Sequence, residues 1–184
     1  MSGSISIKKI KINLIPVGQV KKINFDFLIE FLADSFRANI QVGNNFPLPG
    51  EAFNFQRKQY LSSYILRTAK SYLNLKEDEK ALLIADVDLY AEGLNFVFGE
   101  AEINGSIAII SLVRLRESFY GRPEKKEIFE SRVKKEAVHE LGHVFGLKHC
   151  SSSQCVMYFS NSLADTDRKS WEFCLRCRGL LMTR

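Results

Sequence analysis

Apolar residues recur along the first half of the chain at two alternating periods. Ile5, Ile7, Ile10, Ile12 and Leu14 fall close to every second position, which predicts a strand over residues 5–17, ended by Pro16 and Gly18. Phe25, Leu28, Ile29, Leu32 and Phe36 then repeat at threes and fours, the stripe of an amphipathic helix packing on a sheet. Residues 39–43 read as a short second strand and residues 44–54 as a loop, marked by Pro47, Pro49 and Gly50. Tyr60, Tyr64, Ile65, Thr68 and Tyr72 line one side of a second helix, predicted over residues 56–73. The run Ala-Leu-Leu-Ile-Ala from Ala81 is first broken at Asp86, so residues 81–87 read as a strand covered on both faces. Two further strands, at 94–99 and 106–112, are joined through a turn at Asn104 and Gly105. Strands alternating with helices predict a mostly parallel sheet with helical cover.

In the second half, Pro123 suits the first turn of a helix and Glu124 suits its positive end, so a long helix is expected over about residues 124–146. Asp165 and Thr166 can cap a final helix running through 171–181. No internal repeat, low-complexity tract or linker divides the chain, so residues 1–184 are expected to form a single domain that opens on a short leader at residues 1–4.

Composition changes this picture little. A chain of 184 residues that is 46% hydrophobic, with 14 Phe, can bury a substantial core. The net charge of +5 is spread over pairs such as Lys8 and Lys9, Lys21 and Lys22, Lys125 and Lys126, and Lys134 and Lys135. Scattered pairs are solvated faces and not a nucleic-acid stripe, so no nucleic-acid partner is expected. No apolar run reaches the ~18 residues of a membrane span, and residues 5–15 alternate where a secretory signal would be continuously apolar. The expected setting is the cytoplasm, without a membrane partner and as a monomer.

The candidate chemistry lies in His139 to His149, which reads H-E-L-G-H-V-F-G-L-K-H. His139 and His143 sit four apart, one helical turn, so both imidazoles face the same way and can grip one zinc ion. Glu140 follows the first of them and can reach a water on that metal without binding the metal. A continuous helix would carry His149 about 15 Å along the axis from His139. It can therefore be a third ligand only if the chain turns back, and Gly146 is the residue that permits a left-handed break. All three histidines of the chain fall at these positions.

Cys150, Cys155, Cys174 and Cys177 are the four cysteines, all within the last 35 residues. In a reducing compartment such a cluster points to a metal: four thiolates close a tetrahedral zinc site that holds structure and hydrolyses nothing. Two disulfides or four free thiols are the alternatives. His149 and Cys150 are adjacent, so the two sites must be neighbours. Two zinc ions per chain are expected, one catalytic and one structural.

The long zinc signature resembles that of the metzincins, and the fuller set His139, Glu140, His143, Gly146, His149, Cys150, Cys155, Met157, Cys174 and Cys177 resembles the archaemetzincins. The likeness covers about 40 residues, and the segments at Asn95 and Ser111 are similar too. It implies an α+β, zincin-like (metzincin) fold: a twisted, mostly parallel sheet with an antiparallel edge strand, covering helices, an active-site helix, and a tight turn in which Met157 floors the metal. It would make residues 94–99 the edge strand bordering a cleft, able to pair with an extended peptide. It implies a zinc metallopeptidase acting on a peptide or protein substrate, with Glu140 as general base. Tyr158 reads better as a packed aromatic than as an oxyanion donor. Two rivals are a catalytically silent, zinc-stabilised peptide-binding protein and a zinc-ribbon nucleic-acid binder. Chelator inhibition of a peptidase activity separates the first from the enzyme, and the salt dependence of nucleic-acid binding tests the second.

Overall fold

The structure, a computed structural model, describes residues 10–20 and 24–183. In chain order it runs β1 (Lys11–Val17), α1 (Asp26–Phe36), β2 (Asn39–Val42), β3 (Phe53–Asn54), β4 (Gln59–Leu61), α2 (Ser62–Leu73), β5 (Glu79–Ala85), β6 (Leu89–Tyr90), β7 (Gly99–Ala101), β8 (Ile107–Ser111), α3 (Lys126–Val144), α4 (Leu163–Arg168) and α5 (Leu175–Met182). The expected leader at 1–4, the first part of the expected strand at 5–9, and the pairs Lys8 and Lys9, Lys21 and Lys22 lie outside the described residues.

Among the described residues the main sheet has the order β2-β1-β5-β8-β7. Its first four strands are parallel and β7 runs antiparallel along β8 at the edge. Alternate side chains of the central strands go to opposite faces, as the two-residue period of a strand requires. Leu82, Ile84, Ala108 and Ile110 pack against Leu28 and Leu32 of α1 and Val138 and Leu141 of α3. Ala81, Leu83, Ile107 and Ile109 pack against Ile65 and Ala69 of α2 on the other face. That double burial is why β5 reads as an unbroken apolar run, and the α+β reading of the sequence holds. Among the described residues no helix is long and apolar enough to cross a membrane.

Four expected elements differ. The helix expected from residue 56 starts at Ser62. Asn54 Oδ1 accepts the N–H groups of Gln56 and Arg57, both at 3.0 Å, and folds residues 54–57 into a side-chain-held turn before β4. The edge strand is Gly99–Ala101 and not 94–99. Arg57 Nη2 donates to the carbonyls of Leu94 (2.7 Å) and Asn95 (3.1 Å), and Gln59 Nε2 also donates to the Asn95 carbonyl (3.1 Å). Side chains thus take the acceptors a ladder would use, leaving one bridge between Val97 and Leu89. The final helix is two. Ser162 and Asp165 form a capping box for α4, and α5 begins after Cys174. Between them the chain is held open by Ser170 N–H donating to Gln154 O (3.0 Å) and Val156 N–H to Glu172 O (2.9 Å). The long helix also starts later than residue 124, because the Glu124 carboxylate accepts from the Ser118 N–H (3.1 Å) and hydroxyl.

Candidate metal centre and cleft

Helix α3 is buried continuously from Arg132 to Val144 except at Lys134. His139, Glu140 and His143 lie within that stretch. The helix ends in a Schellman motif: Gly146 N–H donates to His143 O (2.8 Å), Leu147 N–H donates to Gly142 O (2.9 Å), and Gly146 sits at φ +82°. The reversal returns His149 to its partners. Ligand atoms of His139, His143 and His149 all lie within 4.8 Å of one another.

Two of the rings are aimed through their far nitrogens. His139 Nδ1 lies 2.8 Å from the Val156 carbonyl and His143 Nδ1 2.7 Å from the Leu147 carbonyl. A carbonyl only accepts, so each Nδ1 carries the proton and each Nε2 is left as a lone pair. Burial, the main cause, holds all three imidazoles below their usual pKa and therefore neutral. The donor set fits zinc. Two nitrogens bonded to one tetrahedral zinc lie about 3.3 Å apart, and His139 Nε2 and His143 Nε2 are 3.2 Å apart.

The four cysteines form a second group, again with all ligand atoms within 4.8 Å. They are free thiols. Cys150 Sγ and Cys174 Sγ are 3.8 Å apart, too far for a disulfide and equal to the ~3.8 Å between two sulfurs on tetrahedral zinc. The Cys177 backbone N–H is the main cause that draws Cys174 down to about 7, whereas burial pushes Cys155 and Cys177 up. Met157, completely buried, packs on α3 at Gly142, where any β-carbon would collide with its sulfur.

Glu140 is buried with its side chain against β7: a β-carbon on Gly99 would stand 2.6 Å from its Cγ. Burial above all, then the charge of Glu136, raises its carboxyl well above the usual range. Glu140 and His139 face a cleft of about 220 Å³ whose far wall is residues 94–99 and whose rim includes Phe159. The wall therefore falls where the sequence put it, although it is not a strand.

Residues that spacing did not single out complete the site. Glu136, one turn before Glu140, also lines the cleft. Its Oε1 is 3.1 Å from Nζ of Lys169, a side chain with no exposure, and accepts from Thr166 Oγ1 at 3.1 Å. Arg132 Nε and Nη2 grip Asp167 at 2.6 and 2.7 Å, and Arg132 also pairs with Glu117. Lys135 Nζ donates to the carbonyls of Thr166 (3.0 Å) and Asp167 (2.9 Å). Helix α4 is thereby fastened to α3. The one signal in the sequence was the four-residue spacing of Glu136 and Glu140; nothing local marks Lys169.

A buried helix carrying two imidazoles of one metal-sized group and a carboxylate that faces the cleft, a third imidazole returned by a left-handed break, and a mixed sheet beneath define a zinc metallopeptidase of the zincin-like class. The model of peptidase family M54 matches residues 48–183. The chain belongs to that family, the archaemetzincins. It is 42% identical over 172 residues to the archaemetzincin of Methanocaldococcus jannaschii, covering 92% of this chain and 91% of that one. Among solved structures, the archaemetzincin of Methanopyrus kandleri superposes with a TM-score of 0.82 at 36% identity, covering 95% of this chain and 94% of that one. That of Archaeoglobus fulgidus gives 0.75 at 40% identity, covering 92% and 99%.

Proposed function

We propose that His139, His143 and His149 hold a catalytic zinc, that Cys150, Cys155, Cys174 and Cys177 hold a structural one, and that Glu140 is the general base of peptide-bond hydrolysis. The observation that carries this reading is the convergence of three neutral imidazoles, one of which, His139, lines the same cleft as the buried Glu140 carboxylate. Zinc bound there supplies a Lewis acid that acidifies a water and polarises a carbonyl. The protein's own groups do the rest. The Val156 and Leu147 carbonyls fix two rings in the metal-binding tautomer. Glu140 accepts a proton from the attacking water at its carboxylate and passes it to the departing amine. The low polarity that raises its pKa makes it a stronger base once it is ionised. Residues 94–99 offer a wall for an extended peptide, and Arg57 and Gln59 hold that wall in place.

In this reading the chain works as a single domain and a monomer in the cytoplasm, where four reduced thiols are at home, and it binds neither nucleic acid nor membrane. The test is Glu140→Ala. Both zincs should remain while hydrolysis of a cleavable peptide disappears; unchanged turnover removes Glu140 from the mechanism. Failure of a chelator to inhibit the wild-type hydrolysis would remove the metal from it.

A further inference from the structure

The cleft beside Glu140 has an aromatic wall and a polar floor that the hydrolytic chemistry does not use. Phe96 and Phe98 meet edge to face at 5.2 Å, and Phe159 lies 4.8 Å from the His149 ring. All three line the cleft, together with Glu136 and Ser160. Both partners of the Glu136 carboxylate, Thr166 Oγ1 and Lys169 Nζ, are on Oε1. Among the described residues nothing bonds its other oxygen. Ser160 Oγ is likewise enclosed and bonds no other described group. Lys169 does not line the cleft: it backs Glu136 from within the core.

From this geometry, and resting on the peptidase reading, we infer that Glu136 and Ser160 select a tyrosine side chain next to the scissile bond. The ring packs against the phenylalanines. The phenol hydroxyl, at once donor and acceptor, donates to Glu136 Oε2 and accepts from the Ser160 hydroxyl. A phenylalanine fills the same space but leaves the Glu136 and Ser160 oxygens unpaired beneath its ring, the situation that makes sites built for a hydroxyl discriminate strongly. An arginine or lysine fits less well, because Lys169 already neutralises the Glu136 charge and a second cation would lie near it without its own counter-charge.

The test uses the full-length, zinc-loaded protein carrying Glu140→Ala, so that binding is read without turnover. Short peptides carry tyrosine, phenylalanine, glutamine or arginine at each position in turn, and dissociation constants are measured by calorimetry. At one position the tyrosine peptide should bind about tenfold or more tighter than its phenylalanine twin, the worth of one hydrogen bond to a charged group. Replacing the ion pair by Glu136→Met with Lys169→Met, a swap that buried pairs tolerate, should bring that ratio near one. A ratio near one in the parent overturns the inference and needs no core variant. So does a ratio unchanged by the double replacement, or arginine binding tighter than tyrosine. Tyrosine preference in a protein whose Glu140-intact form never cleaves peptides would uphold this inference and overturn the peptidase reading instead.

Discussion

Gly99 gives the sharpest test of how Glu140, the proposed base, is positioned. In Gly99→Ala the new carbon would lie 2.6 Å from Glu140 Cγ, 2.7 Å from Glu140 Oε1 and 2.7 Å from the Ile109 carbonyl oxygen. Carbon atoms rest at about 3.5–4.0 Å from non-bonded neighbours, so the shortfall is close to 1 Å on two sides. The carbonyl cannot retreat, because Ile109 sits in β8, paired to β5 on one side and β7 on the other. Either β7 lifts from the sheet or Glu140 swings out of position. Overpacking of this kind costs about 1–3 kcal/mol, or about 2–12 °C in melting temperature for a domain of this size. Displacing the base costs up to the ~10²–10⁴-fold that general-base catalysis contributes. We expect Gly99→Ala to keep two zincs per chain, melt measurably lower, and lose at least about tenfold in kcat/KM. Gly179→Ala in α5 is the control. Its β-carbon meets nothing within 4 Å, so it should gain up to about 1 kcal/mol of helix propensity and leave kcat/KM alone. A Gly99→Ala protein with unchanged melting and unchanged kcat/KM would refute the placement of Glu140 against β7.

Gly146→Ala must hold φ +82° with a side chain, which costs about 1–2 kcal/mol. Its larger effect should be on His149, so one zinc should leave to a chelator faster than from the unaltered protein while the other stays, as metal analysis over time would show. Cys177→Ser should remove the zinc proposed for the thiol cluster, lower the melting temperature, and leave the three imidazoles able to bind metal. Acid should act through the histidines: their folded pKa values lie below the ordinary 6.5, so the metal-free protein binds fewer protons than its unfolded chain. The stability they contribute is then present above pH 6.5 and lost as pH falls toward the folded values. Glu140 runs the opposite way, its share being present below the ordinary 4.5 and lost as pH rises through its raised value. Melting curves of metal-free protein across pH would show the first loss as a falling limb on the acid side, shallower than in Glu140→Ala, which lacks the opposing contribution.

What could be read from the sequence was whatever covalent spacing determines. His139 and His143 had to share a helical face, Gly146 had to break the helix if His149 was to return, and the cysteines had to gather near His149. The structure brings the three histidines into one group and the four cysteines into another, with Gly146 at the left-handed break. Contacts between distant segments could not be read. Gly99 matters because Glu140, on another element, lies against it, and Lys169 matters because the chain between α4 and α5 brings it under Glu136. Residues 94–99 read as a strand in the sequence, and only the positions of Arg57 and Gln59 reveal why the Leu94 and Asn95 carbonyls are spent elsewhere.

The same contacts explain how a stretch with no regular structure can hold a reactive geometry. Residues 149–161 carry His149, Met157, Phe159 and Ser160, and among the described residues they form neither helix nor strand. They are fixed at separate points instead. Cys150 and Cys155 belong to the thiol cluster that α5 completes. Cys150 N–H donates to the Met157 carbonyl at 2.9 Å, and the Val156 carbonyl meets the His139 ring. Beyond residue 161, α4 is tied to α3 by Arg132, Lys135 and Lys169. Buried ion pairs seldom stabilise a fold better than apolar packing would, but breaking one costs about 3–5 kcal/mol. Their use here is positional. Arg132, Lys135 and Glu136 on α3 each hold groups of residues 166–169 at fixed places, so the segment between the thiol cluster and α4 cannot slide, and the third imidazole and the aromatic rim of the cleft keep their distance from Glu140.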